Sequence, residues 1–259
     1  MSDFPLERAD AVVIPAASAI IFRRGPGGLG FEVLMLVRAA HMRFAGAIVF
    51  PGGRVDDADR ELAARLVPGS ADPADNAARI AAVRETLEEA GLVIGLTRPV
   101  SAGEAAEARA MLLECGRLDA VLERFGWTLD LDALEAFARW NPPLERAYDT
   151  RFFLADLGTG ALSLDVDGTE NCHLEWFAPA EVLARAEAGE LRAIFPTRCL
   201  LQRLALHGDF AAAVADARAH PGGPIVPQIE ERDGERWISI PEGRGYPQTS
   251  ARLGEINRH

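Results

Sequence analysis

The sequence predicts an α/β protein in which helices cover both faces of a mixed sheet. Apolar runs with the character of strands occur near the start of the chain and again beyond its middle. Segments with the helical spacing of apolar residues, i, i+3 and i+7, lie between and after these runs. The two kinds of segment alternate irregularly, which suits an α/β/α sandwich. With 259 residues, 49% of them apolar, the chain is long enough for one large domain.

The first predicted elements are two strands of a hairpin. Residues 11–23 and 31–38 are apolar, and the turn-forming sequence RGPGGLG separates them. A shorter apolar run, 47–50, follows and ends in the sequence PGG (51–53), where we expect a sharp turn.

The next stretch combines a predicted loop with a predicted helix. Residues 56–75 are polar and contain two prolines and a glycine, so we expect an inserted loop there. Asp72 or Asp75 is a suitable N-cap for a helix that continues to Ala90. Gly91 stands just past that helix, where a left-handed residue is expected.

The rest of the chain is predicted to alternate between helices and strands. Residues 102–140 have leucines and alanines at helical spacing, so we interpret 102–145 as a mainly helical insertion. We find no linker and predict a single domain, 1–259, with a C-terminal extension at 220–259. The other predicted elements are strands at 146–157 and 172–178, helices at 179–189 and 197–219, and a hairpin turning at Asp233-Gly234.

Charge and cysteine content restrict the function. A net charge of −12 argues against nucleic-acid binding, and it means that a phosphate-bearing substrate needs local arginines or bound metal. The three cysteines are odd in number and scattered, as is typical of a reducing compartment. The chain also lacks a secretory leader pattern and an apolar run of about 20 residues. We therefore expect a cytoplasmic protein that does not bind membranes.

The sequence RETLEEAGL (84–92) crowds three carboxylates onto one helix face. Offsets of three and four residues place Glu85, Glu88 and Glu89 about 5–6 Å apart between Cβ atoms. Like charges at that distance repel, so either solvent screens them or a cation lies between them. Carboxylates are preferred ligands of Mg²⁺ and Mn²⁺. Arg84 can pair with Glu88 one turn later and reduce the repulsion.

These residues and the glycine turn together resemble the signature of the Nudix hydrolases. That signature has a glycine, a spaced glutamate and then R-E-aliphatic-x-E-E-x-G-aliphatic. Gly53 supplies the opening glycine, but it precedes Arg84 by thirty-one residues where the signature has fourteen, and Thr86 replaces an aliphatic residue. The seventeen extra residues coincide with the predicted loop. They leave three candidates for the site of the early glutamate, namely Asp59, Glu61 and Asn76.

The resemblance implies a Nudix α/β/α sandwich and metal-dependent hydrolysis of a nucleoside diphosphate linked to another moiety. Mg²⁺ or Mn²⁺ would be held by Glu85, Glu88, Glu89 and the Gly53 carbonyl, with Arg84, Glu88 and Glu89 as catalytic residues. The general base would be Glu88, Glu89 or a loop residue such as Glu170 or Glu175, and the sequence does not choose among them.

A narrower likeness concerns the substrate. The layout around RFAGAIVFPGGRVDDAD (43–59) resembles the coenzyme A and acyl-CoA diphosphatase-like branch, whose products are 3′,5′-ADP and (acyl-)phosphopantetheine. Arginines suit the phosphates of such a substrate. The candidates are Arg38, Arg43, Arg54 and Arg151. The alternatives are ADP-ribose or another nucleotide as substrate, or a Nudix-like module that senses a nucleotide without cutting it. The helical insertion would cover an acyl arm or form a homodimer surface.

Overall fold

The structure, a computed structural model, describes most of the chain. The described residues are 12–28, 30–38, 46–143, 146–157 and 171–256. No helix in these ranges combines the length and the apolar character needed to span a bilayer.

Seven strands form one mixed sheet. They are β1 (Val12–Arg24), β2 (Phe31–Arg38), β3 (Ile48–Val49), β4 (Gly52–Arg54), β5 (Glu135–Trp140), β6 (Arg146–Asp156) and β7 (Asn171–Phe177). β1 runs parallel to β6, and the other pairings in the sheet are antiparallel. The predicted hairpin of β1 and β2 is confirmed, since Phe22 pairs with Val33.

Helices cover both faces of this sheet, and a second, three-stranded sheet follows them. The helices are α1 (Asp57–Leu66), α2 (Pro73–Ala90), α3 (Ala102–Cys115), α4 (Leu118–Phe125), α5 (Pro179–Glu187), α6 (Phe195–Leu204), α7 (Phe210–Ala219) and α8 (Leu253–Ile256). The second sheet consists of β8 (Gln228–Arg232), β9 (Glu235–Ser239) and β10 (Ser250–Arg252).

Two apolar cores lie on opposite faces of the large sheet. Along β1, Ala17, Ala19 and Ile21 point into the core beneath α1 to α4. The alternate residues Ile20 and Phe22 point into the core beneath α5 to α7 and the second sheet. This alternation is the pattern of a strand buried on both faces, and the predicted sandwich is confirmed.

Helix α2 has Asp72 as its N-cap, one of the two predicted candidates, and ends at Gly91 as predicted. The Asp72 carboxylate accepts a hydrogen bond from the Asp75 backbone N–H at 2.9 Å, and Pro73 fills the first turn. Gly91 ends the helix with φ of 67°, a left-handed conformation that costs glycine little. Ile80 and Leu87 are buried on its sheet-facing side.

The expected loop at 56–75 is wrong, because its first half is helix α1. The Asp59 carboxylate accepts a hydrogen bond from the Asp56 backbone N–H at 2.9 Å, which completes a capping box. Leu62 and Ala63 are buried against the core. The helix-breaking residues follow Leu66, so they end the helix without interrupting it.

Two later predictions also need correction. The segment 102–140 is not helical throughout, since α3 and α4 are followed by β5, which joins the sheet beside β6. The predicted helix at 197–219 is two helices. The side chain of Asp209 caps the second by accepting from the Ala212 backbone N–H at 2.8 Å.

The C-terminal extension packs onto the large sheet through buried polar contacts. Its hairpin turns at Asp233 and Gly234, both with positive φ, as predicted. Further along, the Trp140 indole N–H donates to the Tyr246 hydroxyl at 3.1 Å. Burial raises the pKa of Tyr246 to about 12.

We expect Tyr246→Phe to lower the free energy of unfolding by about 1–3 kcal/mol, because the buried Trp140 N–H loses its acceptor. The wild type should also lose stability between pH 10 and about 12, because the Tyr246 phenol ionises in the unfolded chain at a lower pH than in the folded protein. Tyr246→Phe should lack that part of the loss. Chemical denaturation across this pH range measures both effects. The half-buried Tyr148 provides the control Tyr148→Phe, and an equal effect of the two variants would contradict this account.

Candidate functional site

Two of the three glutamates of α2, Glu85 and Glu89, meet the glycine turn of β4. The Gly52 backbone N–H donates to Glu89 Oε2 at 2.8 Å. A Cβ added at Gly53 would lie 2.3 Å from Glu85 Oε1, so this carboxylate packs directly on the backbone there. Residues more than thirty positions apart are thus brought together.

Only glycine fits at position 52 of this turn. Gly52 has φ of 153°, and a Cβ there would lie 2.2 Å from the Ala17 carbonyl oxygen on β1. β4 pairs with β1 at Ala16–Ser18, whereas β2 pairs with β1 only at Phe22–Arg24. The turn therefore enters the sheet where β1 and β2 separate.

Arg84 is the centre of the site. Its guanidinium donates to Glu85 Oε1 at 2.9 Å and to Glu88 Oε2 at 3.1 Å, so the predicted pairing with Glu88 is present. It also donates to the Arg54 carbonyl at 2.7 Å, which ties α2 to β4. Its side chain is only 5% exposed.

Asp59 completes this ion pair from helix α1. Its two carboxylate oxygens each accept from Arg84 at 3.0 Å, and the residue is 2% exposed. Glu61 is exposed and contacts Arg117, while Asn76 donates to the Ser70 hydroxyl. Of the three candidates for the early acidic position, the structure places only Asp59 beside Arg84.

Burial and crowding shift the titration of this cluster. Burial raises the pKa of Glu85 to about 8; the charges of Glu89 and Glu88 add to the rise, and Arg84 opposes it. Burial also raises the pKa of Glu88, again against Arg84. Burial alone would lower the pKa of Arg84, but Asp59 and Glu85 hold it above its usual range. The guanidinium therefore stays charged and shares its charge among several carboxylates.

The donor set fits a divalent cation. Within the described ranges, no three carboxylate, histidine or cysteine side chains form a ready-made metal cluster. Here Glu85 and Glu88 turn toward Arg84, and Glu89 toward the Gly52 N–H. Glu85 and Glu89 nevertheless border one stretch of glycine backbone, and Glu88 shares Arg84 with Glu85. Hard oxygen donors of this kind suit Mg²⁺ or Mn²⁺.

Thr86, which departs from the signature, is buried without a polar cost. Its hydroxyl donates to the Ala82 carbonyl one turn earlier at 2.7 Å. Its place on α2 is therefore compatible with the packing of the helix.

The candidate arginines are spread over several positions. Arg54 is exposed on β4, directly after Gly53. Arg38 ends β2, and its side chain and the whole of Arg43 lie outside the described residues. Arg151 contacts Asp75 at 3.4 Å near the start of α2, ten residues or about 15 Å along the helix axis from Glu85. The structure does not bring Arg151 to the glutamates.

Of the two proposed loop bases, Glu175 is not placed with the glutamates either. Glu175 lies on β7 opposite Met35, whose side chain is in the core beneath α5 to α7. Because side chains alternate along a strand, Glu175 points away from the face that carries α2. It contacts His173 at 3.0 Å. Glu170 lies outside the described residues.

We expect Asp59→Asn to lower the free energy of unfolding by about 3 kcal/mol, because Arg84 would stay buried without its bidentate partner. The matched control is Glu61→Gln on the same helix. Its exposed side chain should change stability by less than about 0.5 kcal/mol. Chemical denaturation followed by circular dichroism measures both. Equal losses in the two variants would contradict the selection of Asp59.

Comparison with known proteins gives two informative similarities. No protein-family model matches the chain. It is 29% identical over 243 residues to acyl-coenzyme A diphosphatase NUDT19 of Gallus gallus, covering 71% of this chain and 64% of that protein. The chain thus spans just under two thirds of that relative's length.

The second similarity is to a solved structure. The crystal structure of a Nudix hydrolase from Alicyclobacillus acidocaldarius is 30% identical, with a TM-score of 0.67. The match covers 80% of this chain and 97% of that one. With that extent of likeness, and with the signature glutamates beside Gly53, the chain belongs to the Nudix hydrolase superfamily.

Proposed function

We propose that this Nudix hydrolase cleaves the diphosphate of coenzyme A or acyl-CoA, giving 3′,5′-ADP and (acyl-)phosphopantetheine. The observation that carries the hydrolase part is the contact of Glu85 and Glu89 with the backbone of Gly53 and Gly52, with Glu88 joined to Glu85 through Arg84. The substrate part is supported by the layout of residues 43–59 and by the likeness to an acyl-CoA diphosphatase.

The three glutamates and the Gly53 carbonyl would hold Mg²⁺ or Mn²⁺. Such an ion, when bound, supplies positive charge that neutralises the oxygens of a diphosphate. This suits a chain whose net charge of −12 otherwise repels phosphate. A diphosphate substrate therefore needs a local cation to bind this acidic chain, and the proposed metal would provide it.

The chain's own residues fix the glutamates. Arg84 draws Glu85 and Glu88 toward one point, and the Gly52 N–H holds Glu89 at 2.8 Å. Because Arg84 is itself anchored by Asp59 and by the Arg54 carbonyl, the part of α2 that carries the carboxylates is held in place before a cation binds. Such preorganisation is the main source of rate enhancement in phosphoryl-group chemistry.

We propose Arg54 as a further substrate contact. It directly follows Gly53 on β4 and is exposed, and a guanidinium there suits the part of a phosphate-bearing substrate that extends past the glycine turn. We propose that Arg38 and Arg43 precede this turn as further phosphate contacts, as the diphosphatase-like layout implies.

We also infer that the protein works in the reducing cytoplasm. Cys115 and Cys199 are free thiols, the first exposed and the second buried. Burial raises the pKa of the Cys199 thiol to about 12, so it stays protonated and unreactive.

A substrate panel tests the proposed activity. Coenzyme A, acyl-CoA, ADP-ribose and a dinucleotide are each incubated with the protein and Mg²⁺ or Mn²⁺, and the products are identified by mass spectrometry. We expect coenzyme A or acyl-CoA to turn over fastest, with 3′,5′-ADP as one product. Faster cleavage of ADP-ribose would overturn the substrate, and tight nucleotide binding without any cleavage would indicate a sensing module.

We expect Glu89→Gln to lower turnover by at least about 100-fold, because the amide removes a negative charge from the cation site. The amide oxygen can still accept from the Gly52 N–H, so the fold should be retained. Glu114→Gln, an exposed glutamate on α3, is the matched control and should keep wild-type turnover. Steady-state kinetics on both variants decides the point, and near-normal turnover of Glu89→Gln would refute this role.

A further inference from the structure

Arg109 is a charged residue on the buried side of α3. The buried positions of this helix are Ala105, Ala108, Arg109 and Leu112, which is the spacing of an apolar stripe. Arg109 is only 8% exposed. A guanidinium at such a position is costly to bury unless it has specific partners.

The geometry of α2 and α3 identifies one of those partners. Arg109 Nε donates to the Glu88 backbone carbonyl at 3.0 Å. Glu88 lies in the last turn of α2, where carbonyls have no N–H partner within the helix. The carbonyl before it, that of Leu87, accepts from the Gly91 N–H at 3.1 Å. Arg109 thus caps α2 at the negative end of its dipole, where a cation is favoured.

Two arginines therefore hold Glu88, one at its side-chain carboxylate and one at its backbone carbonyl. Its carboxylate accepts from Arg84 at 3.1 Å, and its carbonyl accepts from Arg109 at 3.0 Å. The next residue, Glu89, is fixed at its carboxylate by the Gly52 N–H. A shift of the Glu88 carbonyl would therefore move the backbone that carries both glutamates.

We propose that Arg109 is a positioning residue. By holding the Glu88 backbone carbonyl, it fixes the positions from which Glu88 and Glu89 would bind the divalent cation. This inference rests on the proposed metal-dependent function. Arg109 lies outside the signature and acts through the backbone, without touching substrate. An apolar side chain in its place would fill the same space but leave the carbonyl without this donor.

The test measures Mn²⁺ binding directly, by isothermal titration calorimetry and by electron paramagnetic resonance of free Mn²⁺. We expect Arg109→Met to raise the Mn²⁺ dissociation constant about 10- to 100-fold, the range seen when residues supporting metal ligands are removed. Arg109→Lys keeps the charge and a donor, so its Mn²⁺ affinity should be intermediate. The Mn²⁺ concentration that half-activates hydrolysis should rise in the same order.

Arg79→Met is the matched control. Arg79 also donates to a backbone carbonyl of a neighbouring segment, that of Leu131 at 2.8 Å, but it lies at the other end of α2. Its loss should leave the Mn²⁺ dissociation constant unchanged in folded protein. A purely structural role for Arg109 predicts that the two variants lose stability but bind Mn²⁺ alike.

The outcomes separate the two proposals. A wild type that neither binds Mn²⁺ nor hydrolyses any diphosphate would refute the proposed function. If the wild type binds Mn²⁺, then Arg109→Met binding it equally tightly would refute the role of Arg109. Should Arg109→Met fail to fold, wild-type Mn²⁺ affinity of Arg109→Ala, which removes the donor and keeps helix propensity, would refute it instead.

Discussion

The buried charge of Arg84 is the constraint on which the site depends. A guanidinium taken out of water costs several kcal/mol unless anionic and carbonyl partners surround it. Here the partners come from three elements, with Asp59 on α1, Glu85 and Glu88 on α2, and the Arg54 carbonyl on β4. Satisfying one charge therefore fixes the relative positions of two helices and the glycine turn. The crowding of carboxylates that looks unfavourable in the sequence follows from this requirement.

Segments outside the signature are built into the same arrangement. α1 supplies Asp59, and α3 supplies Arg109, which reaches the Glu88 carbonyl. Both helices pack over the face of the sheet that carries α2. The opposite face, with α5 to α7 and the second sheet, has its own apolar core. The two layers therefore divide the molecule into a face that carries the signature glutamates and a face that supports the sheet from behind.

The sequence predicted the site better than it predicted its supports. Gly53 and the glutamates could be found because their chemistry is unusual and their pattern is specific. Asp59 could not be selected, because an insertion of unknown position makes every offset from Gly53 or Arg84 ambiguous. Arg109 gave a weaker signal, a charge on an apolar helical stripe. Its contact with α2 depends on how two helices pack, which one-dimensional spacing does not show.

The errors in predicting the fold have local causes. The sequence predicts β5 as helix because leucines and alanines continue at helical spacing through residues 102–140. Phe137 and Trp140, three residues apart, are both buried in one core. In the strand, an irregular register between Ala136 and Ala138 allows both to face one core. Helix-capping residues explain why α2 is predicted correctly and α1 is not. Asp72, one of two candidate N-caps in the sequence, and Gly91 delimit α2. The capping box of Asp56 and Asp59 lies in a polar stretch with two prolines and a glycine, which predicts a loop where α1 forms.

The connection between α1 and α2 has a practical consequence for engineering. Residues 67–71 are largely exposed and join two helices whose ends are each anchored separately, α1 by the core and α2 by Asp72. The entropy of closing such a loop grows only slowly with its length. A fluorescent or affinity domain could therefore be grafted there while Gly53 and Arg84 stay in register, which would provide a labelled enzyme with both termini untouched.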